Sequence, residues 1–428
     1  MPTRAIVVHY HELWLKGRNR YFFLNRLADA LRRSLEGIPV DRIDRPGDRI
    51  LVWLGEGADQ AEALRRIGYV LGVAYFAPAQ TVERDLSAIR EAAWEEVKGE
   101  PFSTFAVRAK RSDKSFAHRS SEIEREVGAY LLARLREAGR DARVNLGAPD
   151  LICRIEITPG PALVYARKIP GPGGLPAKTA GKMVCLLSGG FDSSVAAYKM
   201  MKRGAHLVFT HFYGTGAQPG ESSIHVAREL VRQLTPYQLT ARLYLVPFEA
   251  IQREIVRYAP EDYRVLLYRR MMLRIAAAIA ERNGALALVT GDSLGQVASQ
   301  TLENMIAVDR AVGFNVFRPL VGDDKQEILA LARRIGTYDI SAEPFHDCCP
   351  VFLPRSPALR ATAADLDQAE AGLDIAALVA KGLETCTLER YRLIDGRVER
   401  VARPSQSAAP RASVEPQPDA TQEPARHT

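Results

Sequence analysis

The fold is decided by the stretch Met183-Val184-Cys185-Leu186-Leu187-Ser188-Gly189-Gly190-Phe191-Asp192-Ser193-Ser194. Five apolar residues precede Ser-Gly-Gly, and Asp192 then opens a segment rich in Ala, Met and Lys, a composition that favours a helix. The order is therefore strand, tight loop, helix. Two adjacent glycines allow several backbone N–H groups to converge on one anion at the positive N-terminus of the helix. The loop is predicted to bind phosphate.

This loop is not a Walker A motif, which requires G-x-x-x-x-G-K-[ST]. Gly181-Lys182 is followed by Met183, and Pro176 occupies the position of the first glycine. The sequence Ser-Gly-Gly-Phe-Asp-Ser instead resembles the PP-loop of ATP pyrophosphatases, which cleave ATP between the α and β phosphates and activate a substrate as an adenylate. The alternative is a glycine-rich strand-to-helix turn that binds no ligand.

Length and composition set broad limits. The 428 residues predict two to four domains, and 47% hydrophobic with 25% charged residues is typical of a soluble globular protein. The net charge of +7 favours acidic partners such as RNA. Apolar runs are too short for a membrane helix, and the first twenty residues are too charged for a signal peptide, so we expect a cytoplasmic protein without membrane contact.

The first 75 residues predict a small α+β unit. Strands are expected at 5–8 and 49–54, and helices at 21–35 and 58–67. Before the first helix, Lys16, Arg18 and Arg20 lie within five residues. These cations either contact a phosphate backbone or belong to a solvated turn.

A second unit is predicted from Tyr75 to about Tyr165. Within it, alternation over residues 105–116 predicts a strand with basic side chains on one face. Cations flanked by Phe105 and Phe116 suit contact with phosphates and stacking on bases, whereas a charged edge strand that resists aggregation is the alternative. The candidate RNA-binding cations of this stretch are Arg108, Lys110, Arg111 and Lys114.

Ile169 to Pro176 is dense in Pro and Gly, which predicts a domain boundary. Beyond it, strands and helices alternate, and this order predicts a doubly wound parallel sheet whose site lies outside the carboxyl ends of the strands. Residues 290–301 follow one such strand and are expected to form a second wall of the same crevice. The residues from Ala402 to Thr428 lack the apolar content of a core and are expected to be disordered.

Six segments together resemble the tRNA 4-thiouridine synthetase family, also called tRNA sulfurtransferase, in a form that lacks the C-terminal rhodanese domain. They are residues 15–20, 171–176, 188–193, 269–272, 291–301 and 347–349. The resemblance implies an α/β protein with an N-terminal ferredoxin-like α+β domain (1–75), a THUMP RNA-binding domain (76–170), a Pro/Gly linker (171–180), a doubly wound parallel-sheet PP-loop ATP pyrophosphatase domain (181–398) and a disordered tail (399–428).

The same resemblance implies an enzyme that transfers sulfur to uridine 8 of tRNA in an ATP-dependent reaction, through an adenylated uracil and a persulfide sulfur donor. Asp192 would be catalytic and would hold Mg²⁺, and Lys325 would stabilise the departing pyrophosphate. An N-cap role for Asp192 is the structural alternative. The ATP contacts implied by the family are Leu186, Leu187, Ser188, Gly189, Gly190, Ser193, His211, Phe212, Arg269, Gly291 and Gln300.

The five cysteines show no C-x-x-C spacing, so we expect reduced thiols rather than a zinc ribbon or disulfides. Cys153 and Cys185 lie in apolar strands and are predicted to belong to the core. Alignment to the family's Asp-x-Cys pattern makes Cys349 the thiol that handles sulfur, with Cys348 as the alternative. Cys386 belongs to no motif.

Without a rhodanese domain, the sulfur is expected to come from a cysteine desulfurase or another persulfide carrier protein. The resemblance leaves open a link to thiamine thiazole biosynthesis and also a homodimer that presents tRNA from one subunit to the other. Three alternatives remain: another PP-loop adenylating ligase, a non-catalytic RNA-binding protein and an iron-sulfur variant. The basic front half argues against a small-molecule ligase, and the absence of C-x-x-C argues against a cluster.

Overall fold

The computed structural model describes residues 3–214, 223–344 and 357–402. Their strands form two sheets, each covered by helices, so the predicted α/β class is confirmed. Every helix in these ranges is too short or too polar to span a lipid bilayer.

The first sheet belongs to the front half of the chain. Its strands, among the described residues, are β1 (Thr3–His9), β2 (Val40–Asp44), β3 (Ile50–Leu54), β4 (Tyr75–Val82), β5 (Thr104–Arg111), β6 (Arg143–Val144), β7 (Leu151–Ile157), β8 (Ala162–Tyr165) and β9 (Ile169–Pro170). They run in the order β2-β3-β1-β4-β8-β7-β5-β6, and β9 pairs with β4. A 3-10 helix at Glu12–Asn19 precedes four helices, α1 (Arg20–Ser34), α2 (Gln60–Ile67), α3 (Leu86–Val97) and α4 (Ser120–Glu137).

Strand β4 joins the two front units into one continuous sheet. One edge of β4 pairs with β1, and the other edge pairs with β8 and β9. One core cluster draws Trp53 from the first unit and Leu163 from the second. The predicted boundary between residues 75 and 76 therefore falls at the start of a strand that serves both units. Alternation identifies a strand but not its neighbours, so this sharing could not be predicted.

The second sheet holds the predicted phosphate loop. Its strands are β10 (Lys182–Leu186), β11 (His206–Tyr213), β12 (Thr240–Pro247), β13 (Ala287–Val289), β14 (Asn315–Phe317), β15 (Thr387–Ile394) and β16 (Arg397–Val401). Its helices are α5 (Phe191–Lys202), α6 (Ser223–Gln238), α7 (Glu249–Tyr258), α8 (Arg264–Asn283), α9 (Leu302–Asp309), α10 (Lys325–Arg334), α11 (Tyr338–Ala342), α12 (Ala363–Ala369) and α13 (Ile375–Thr385), with 3-10 helices at Glu261–Tyr263 and Ala298–Gln300.

The strand order is β14-β13-β10-β11-β12-β15-β16. Strands β10 to β14 are mutually parallel, as predicted, but β15 and β16 extend the sheet as an antiparallel ribbon that the sequence analysis missed. The ribbon reaches Val401, three residues past the predicted end of the domain at 398. The chain runs outward from β10 to β12 and then returns to place β13 on the other side of β10. Ligands bind at such switch points in open α/β sheets.

The predicted linker at 171–180 is a tightly bonded joint between the two halves. The Gly171 amide donates to the carbonyl of Ala74 at 3.0 Å, and the Gly72 amide donates to the carbonyl of Gly173 at 2.8 Å. On the other side, the Leu175 amide donates to the carbonyl of Lys202, the last residue of α5, at 2.9 Å. The Pro/Gly composition marks the boundary, but the segment is not a loose tether.

Gly174→Ala should destabilise this joint strongly. Gly174 has φ +75°, and an added Cβ would stand 2.1 Å from the carbonyl oxygen of Lys202. We expect a loss of about 3 kcal/mol in the free energy of unfolding, measured by urea denaturation. Gly139→Ala is the matched control, because Gly139 has φ +73° with open space around it, and should cost about 1 kcal/mol. If the two variants lost the same free energy of unfolding, the close approach of Gly174 to α5 would not contribute to stability.

Candidate active site

An open cleft of about 990 Å³ lies at the carboxyl ends of β10, β11, β13 and β14. This is the position that the strand order predicts for a ligand. Its lining residues are Leu186, Leu187, Ser188, Asp192, Ser193, Thr210, Phe212, Arg269, Met272, Leu273, Thr290, Gly291, Asp292, Gln300, Val308 and Arg318. Apolar side chains suit an aromatic base, whereas the hydroxyls, the guanidinium groups and a helix N-terminus suit phosphates and a ribose.

The loop after β10 is held in shape by its own serines. The Ser188 amide donates to Ser193 Oγ at 3.1 Å, and the Gly190 amide donates to Ser188 Oγ at 3.2 Å. Helix α5 begins at Phe191 with Gly190 as its N-cap, so the N-cap role considered for Asp192 is wrong, and Asp192 lies in the first turn instead. The first amides of α5 have no acceptor within the helix, so an anion at this end would be favoured. The predicted strand, loop and helix are confirmed.

Gly291 brings the second wall of the cleft against α5. A Cβ at this position would stand 2.6 Å from the backbone nitrogen of Ser193, which is closer than any side chain tolerates. Only glycine allows the loop after β13 to pack directly on the phosphate loop. The expectation that residues 290–301 form a wall of the same crevice is therefore met by the geometry.

Asp192 and Lys325, 133 residues apart in sequence, form an ion pair at the cleft. Lys325 Nζ donates to Asp192 Oδ1 at 2.7 Å, and Gln296 Nε2 donates to Asp192 Oδ2 at 3.0 Å. Lys325 is the first residue of α10, whose N-cap Asp324 is bonded reciprocally with Glu327 in a capping box. The cap fixes where α10 starts and so places the ammonium group of Lys325 beside the phosphate loop.

Asp292 is the main member of the site that the sequence analysis did not single out. It is 4% exposed and forms salt bridges with Arg269 and Arg318. Burial alone would raise the pKa of Asp292, but the two guanidinium groups and the Thr290 hydroxyl hold it at about 2. The carboxylate is therefore ionised near neutral pH. Its only sequence signal was its place between the predicted contacts Gly291 and Gln300.

His211, a predicted ATP contact, lies behind the cleft rather than in its lining. The ring is 1% exposed, with Nδ1 2.9 Å from the carbonyl oxygen of Leu187 and Nε2 3.0 Å from Ser223 Oγ. The imidazole is thus placed to hold the phosphate loop, whereas its neighbours Thr210 and Phe212 line the cleft. Alternation along β11 explains this, because consecutive side chains point to opposite faces. Gly189 and Gly190 belong to the loop but are not among the lining residues.

The first group of predicted RNA-binding cations lies beside aromatic rings, of which Trp14 is exposed. Arg20 stacks 3.5 Å from the centre of the Trp14 ring and donates to the Tyr10 hydroxyl, while Lys16 lies 5.0 Å from the Phe23 ring. Arg18 is exposed. Trp14 keeps 46% of its surface exposed. The arrangement offers charge and aromatic faces together.

The second group is partly neutralised within the chain. Arg108 and Lys110 lie on one exposed face of β5, but Lys110 pairs with Asp48 and Arg108 donates to the carbonyl of Leu146. Arg111 lies on the other face and donates to backbone carbonyls, whereas Lys114 is exposed. The prediction of one basic face therefore holds for two of the four cations.

Among the described residues, the cysteines predicted to belong to the core are buried, and Cys386 is not fully buried. Cys153 and Cys185 are fully buried, and burial raises the pKa of each thiol to about 12, so both are inert core residues. Cys386 is half-buried, and its thiol donates to the carbonyl of Leu383 at 3.2 Å. Cys348 and Cys349 lie outside the described residues.

Asp192 is the candidate for a metal ligand. Within residues 3–214, 223–344 and 357–402, no three His, Cys, Asp or Glu side chains converge as a metal site. Mg²⁺ commonly binds through one or two carboxylates together with phosphate oxygens and water. The single carboxylate of Asp192, beside the phosphate loop, therefore fits a Mg²⁺ that arrives with a polyphosphate rather than one held by the protein alone.

A doubly wound sheet with a Ser-Gly-Gly-Phe-Asp-Ser loop at its switch point places the chain in the PP-loop class of proteins. Family models match three successive parts of it: the ThiI ferredoxin-like domain at residues 5–77, the THUMP domain at 81–167 and the thiamine biosynthesis protein (ThiI) family at 178–375.

Relatives match along most of the chain. A probable tRNA sulfurtransferase of Thermus thermophilus is 45% identical over 90% of this chain and 93% of the relative, and one of Moorella thermoacetica is 42% identical over 89% and 96%. A crystal structure of a 4-thiouridine synthetase–RNA complex with bound ATP has a TM-score of 0.80 at 32% identity, covering 91% of this chain and 99% of that one. The chain belongs to the tRNA sulfurtransferase family. The predicted family and fold class are confirmed.

Proposed function

We propose that this protein uses ATP to transfer sulfur to uridine 8 of tRNA, forming 4-thiouridine. The observation that carries the proposal is the cleft, in which the phosphate loop, the Asp192–Lys325 pair and Arg269 converge at the switch point of the sheet. The 32% identical structure described as a 4-thiouridine synthetase with RNA and ATP supports the same substrates here. We assign the ATP contacts predicted from the sequence to this cleft. His211 would contribute indirectly, by holding the backbone of Leu187 in place.

In the first step, O4 of the uracil attacks the α phosphorus of ATP. The new O4–P bond forms as the bond between the α phosphorus and the bridging oxygen breaks, and pyrophosphate leaves. Backbone amides at the start of α5 bind phosphate oxygens, and Lys325 Nζ offsets the charge of the departing pyrophosphate. Mg²⁺ brought by the nucleotide would add charge neutralisation beside Asp192.

In the second step, sulfur replaces the activated oxygen. The terminal sulfur of a persulfide attacks C4, and AMP leaves with the former O4. A second thiol then cleaves the S–S bond, which releases 4-thiouridine and leaves a disulfide for a cellular thiol reductant to reduce. We assign the persulfide or attacking thiol to Cys349, with Cys348 as the alternative. The buried thiols of Cys153 and Cys185 are unsuited to this role.

We propose that the sulfur comes from a cysteine desulfurase or another persulfide carrier protein. The front half, with the domain limits 1–75 and 76–170, would hold the tRNA through Lys16, Arg18, Arg20, Arg108, Arg111 and Lys114. Lys110 pairs with Asp48 in the free protein. It would also contact the tRNA if an RNA phosphate replaced the Asp48 carboxylate, because both groups are anions. A homodimer could present tRNA bound by one subunit to the cleft of the other, which sedimentation with and without tRNA would detect.

The test is mass spectrometry of tRNA nucleosides after incubation with ATP, Mg²⁺, a cysteine desulfurase and cysteine. We expect 4-thiouridine at position 8, with AMP and pyrophosphate released in equal amounts. If 4-thiouridine formed at the full rate without the desulfurase, the proposal that a carrier protein supplies the sulfur would be wrong. Turnover of ATP with a small molecule but not with tRNA would favour another adenylating ligase, and tRNA binding without ATP turnover would favour a non-catalytic RNA-binding protein.

A further inference from the structure

Asp292 lies in the wall of the cleft with every acceptor position of its carboxylate occupied. Oδ1 accepts from Arg269 Nη2 and, at 3.2 Å, from Gln300 Nε2. Oδ2 accepts from Thr290 Oγ1 at 2.8 Å and from Arg318 Nε at 3.1 Å. A carboxylate has about four lone-pair sites, so none is left for a substrate, a metal ion or a proton. This side chain therefore acts on a ligand only through the residues that it holds.

All four of those residues line the cleft, and two of them, Arg269 and Gln300, are the ATP contacts predicted from the sequence. Arg269 is oriented by Asp292 and by Ser299 Oγ at 3.3 Å. Gln300 Nε2 donates to Asp292, which fixes the orientation of the amide group. Oε1 is then the amide atom that remains to accept a hydrogen bond from another group. Oε1 is buried and has no hydrogen-bond partner among the described residues. A buried acceptor of this kind is satisfied by a donor on a ligand, such as a ribose hydroxyl or the amino group of adenine.

A further ion pair anchors Asp292 to the protein. Arg318 donates two hydrogen bonds to Asp309, at 2.7 and 2.6 Å, while its Nε bonds Asp292. The chain of pairs Asp309, Arg318, Asp292, Arg269 thus connects the end of α9 with α8 through the wall of the cleft. Bidentate pairs of this type hold their partners in one geometry.

We propose that Asp292 is a positioning residue for the nucleotide, which orients Arg269 and presents Oε1 of Gln300 to ATP. The inference rests on the proposed function, because it takes ATP as the ligand of the cleft. It predicts that the loss of Asp292 weakens ATP binding through Arg269 and Gln300 and not through a contact of its own.

The test measures the dissociation constant of ATP by calorimetry with the full-length chain. Asp292→Asn places an amide where two guanidinium groups donate, so we expect ATP to bind about 100-fold more weakly. In a chain that already carries Arg269→Ala and Gln300→Ala, the same substitution should change the constant by less than about 5-fold, because the residues it acts through are gone. With saturating ATP, tRNA thiolation by Asp292→Asn should recover to within about 5-fold of wild type.

Asp309→Asn is the matched control, since it removes a carboxylate from the same chain of pairs but leaves Asp292 bonded to Arg269. It should weaken ATP binding by less than about 10-fold. If Asp292→Asn does not fold, Thr290→Val removes one bond to Asp292 and should weaken binding several-fold.

The outcomes separate the inference from the proposed function. Absence of ATP binding by the wild-type chain would remove the proposed function itself. If the wild type binds ATP and Asp292→Asn, or a folded Thr290→Val, binds it equally well, the positioning role is overturned. An equal loss from Asp292→Asn in both backgrounds would also overturn it, because the effect would not depend on Arg269 and Gln300.

Discussion

Asp192→Asn is expected to slow tRNA-dependent ATP–pyrophosphate exchange by about 10³-fold while the protein remains folded. The substitution keeps the shape of the side chain and removes its charge. That charge pairs with Lys325 at 2.7 Å and is the one carboxylate on the phosphate loop that could share Mg²⁺ with the nucleotide. We therefore expect the loss in the rate of the adenylation step rather than in the binding of tRNA.

The measurements are the exchange rate with saturating tRNA, the dissociation constant of tRNA and the urea unfolding midpoint. Asp339→Asn serves as the matched control, because Asp339 is exposed on α11 and does not line the cleft, and it should leave the rate unchanged. A folded Asp192→Asn chain that exchanges pyrophosphate at the wild-type rate would remove Asp192 from the chemistry. A purely structural role in the first turn of α5, where Asp192 is the second helical residue, would instead appear as a lower unfolding midpoint with normal exchange.

The parts of this site that local sequence could predict are those that depend on neighbours in the chain. The apolar run before Ser188 and the two glycines that follow it determine a strand and a tight turn within a dozen residues. The alternation of strands and helices then places the loop at the carboxyl end of a parallel strand, and the observed strand order makes that end a switch point. Asp192 and Lys325 were singled out separately, and the geometry of the parallel strands brings them together.

The parts that local sequence could not predict depend on pairing over long distances. Asp292 is one acid among many until the fold surrounds it with Arg269 from α8 and Arg318 from the end of β14. His211 and Phe212 are adjacent and were both predicted as ATP contacts. Only the orientation of β11 in the folded sheet determines that the His211 ring points away from the cleft. The ribbon of β15 and β16 was missed, because nothing within these two strands identifies β12 as a partner.

Cys349→Ser is expected to abolish 4-thiouridine formation, by at least about 10³-fold, while tRNA-dependent ATP–pyrophosphate exchange continues. A hydroxyl can neither carry a persulfide nor reduce one, whereas the adenylation step that we propose uses the cleft and not the thiol. The split between the two activities is the informative result, since a folding defect would lower both together. The assays are mass spectrometry of tRNA nucleosides and exchange on the same preparation.

Two other cysteines provide the controls for this prediction. Cys386→Ser changes a half-buried thiol that belongs to no motif and should leave both activities within about 2-fold of wild type. Cys348→Ser should retain more thiolation than Cys349→Ser, because the family pattern aligns with Cys349. The reverse order would transfer the sulfur-handling role to Cys348. Full thiolation by the double variant would place the reactive sulfur entirely on the carrier protein, and the cleft would then act on ATP and tRNA alone.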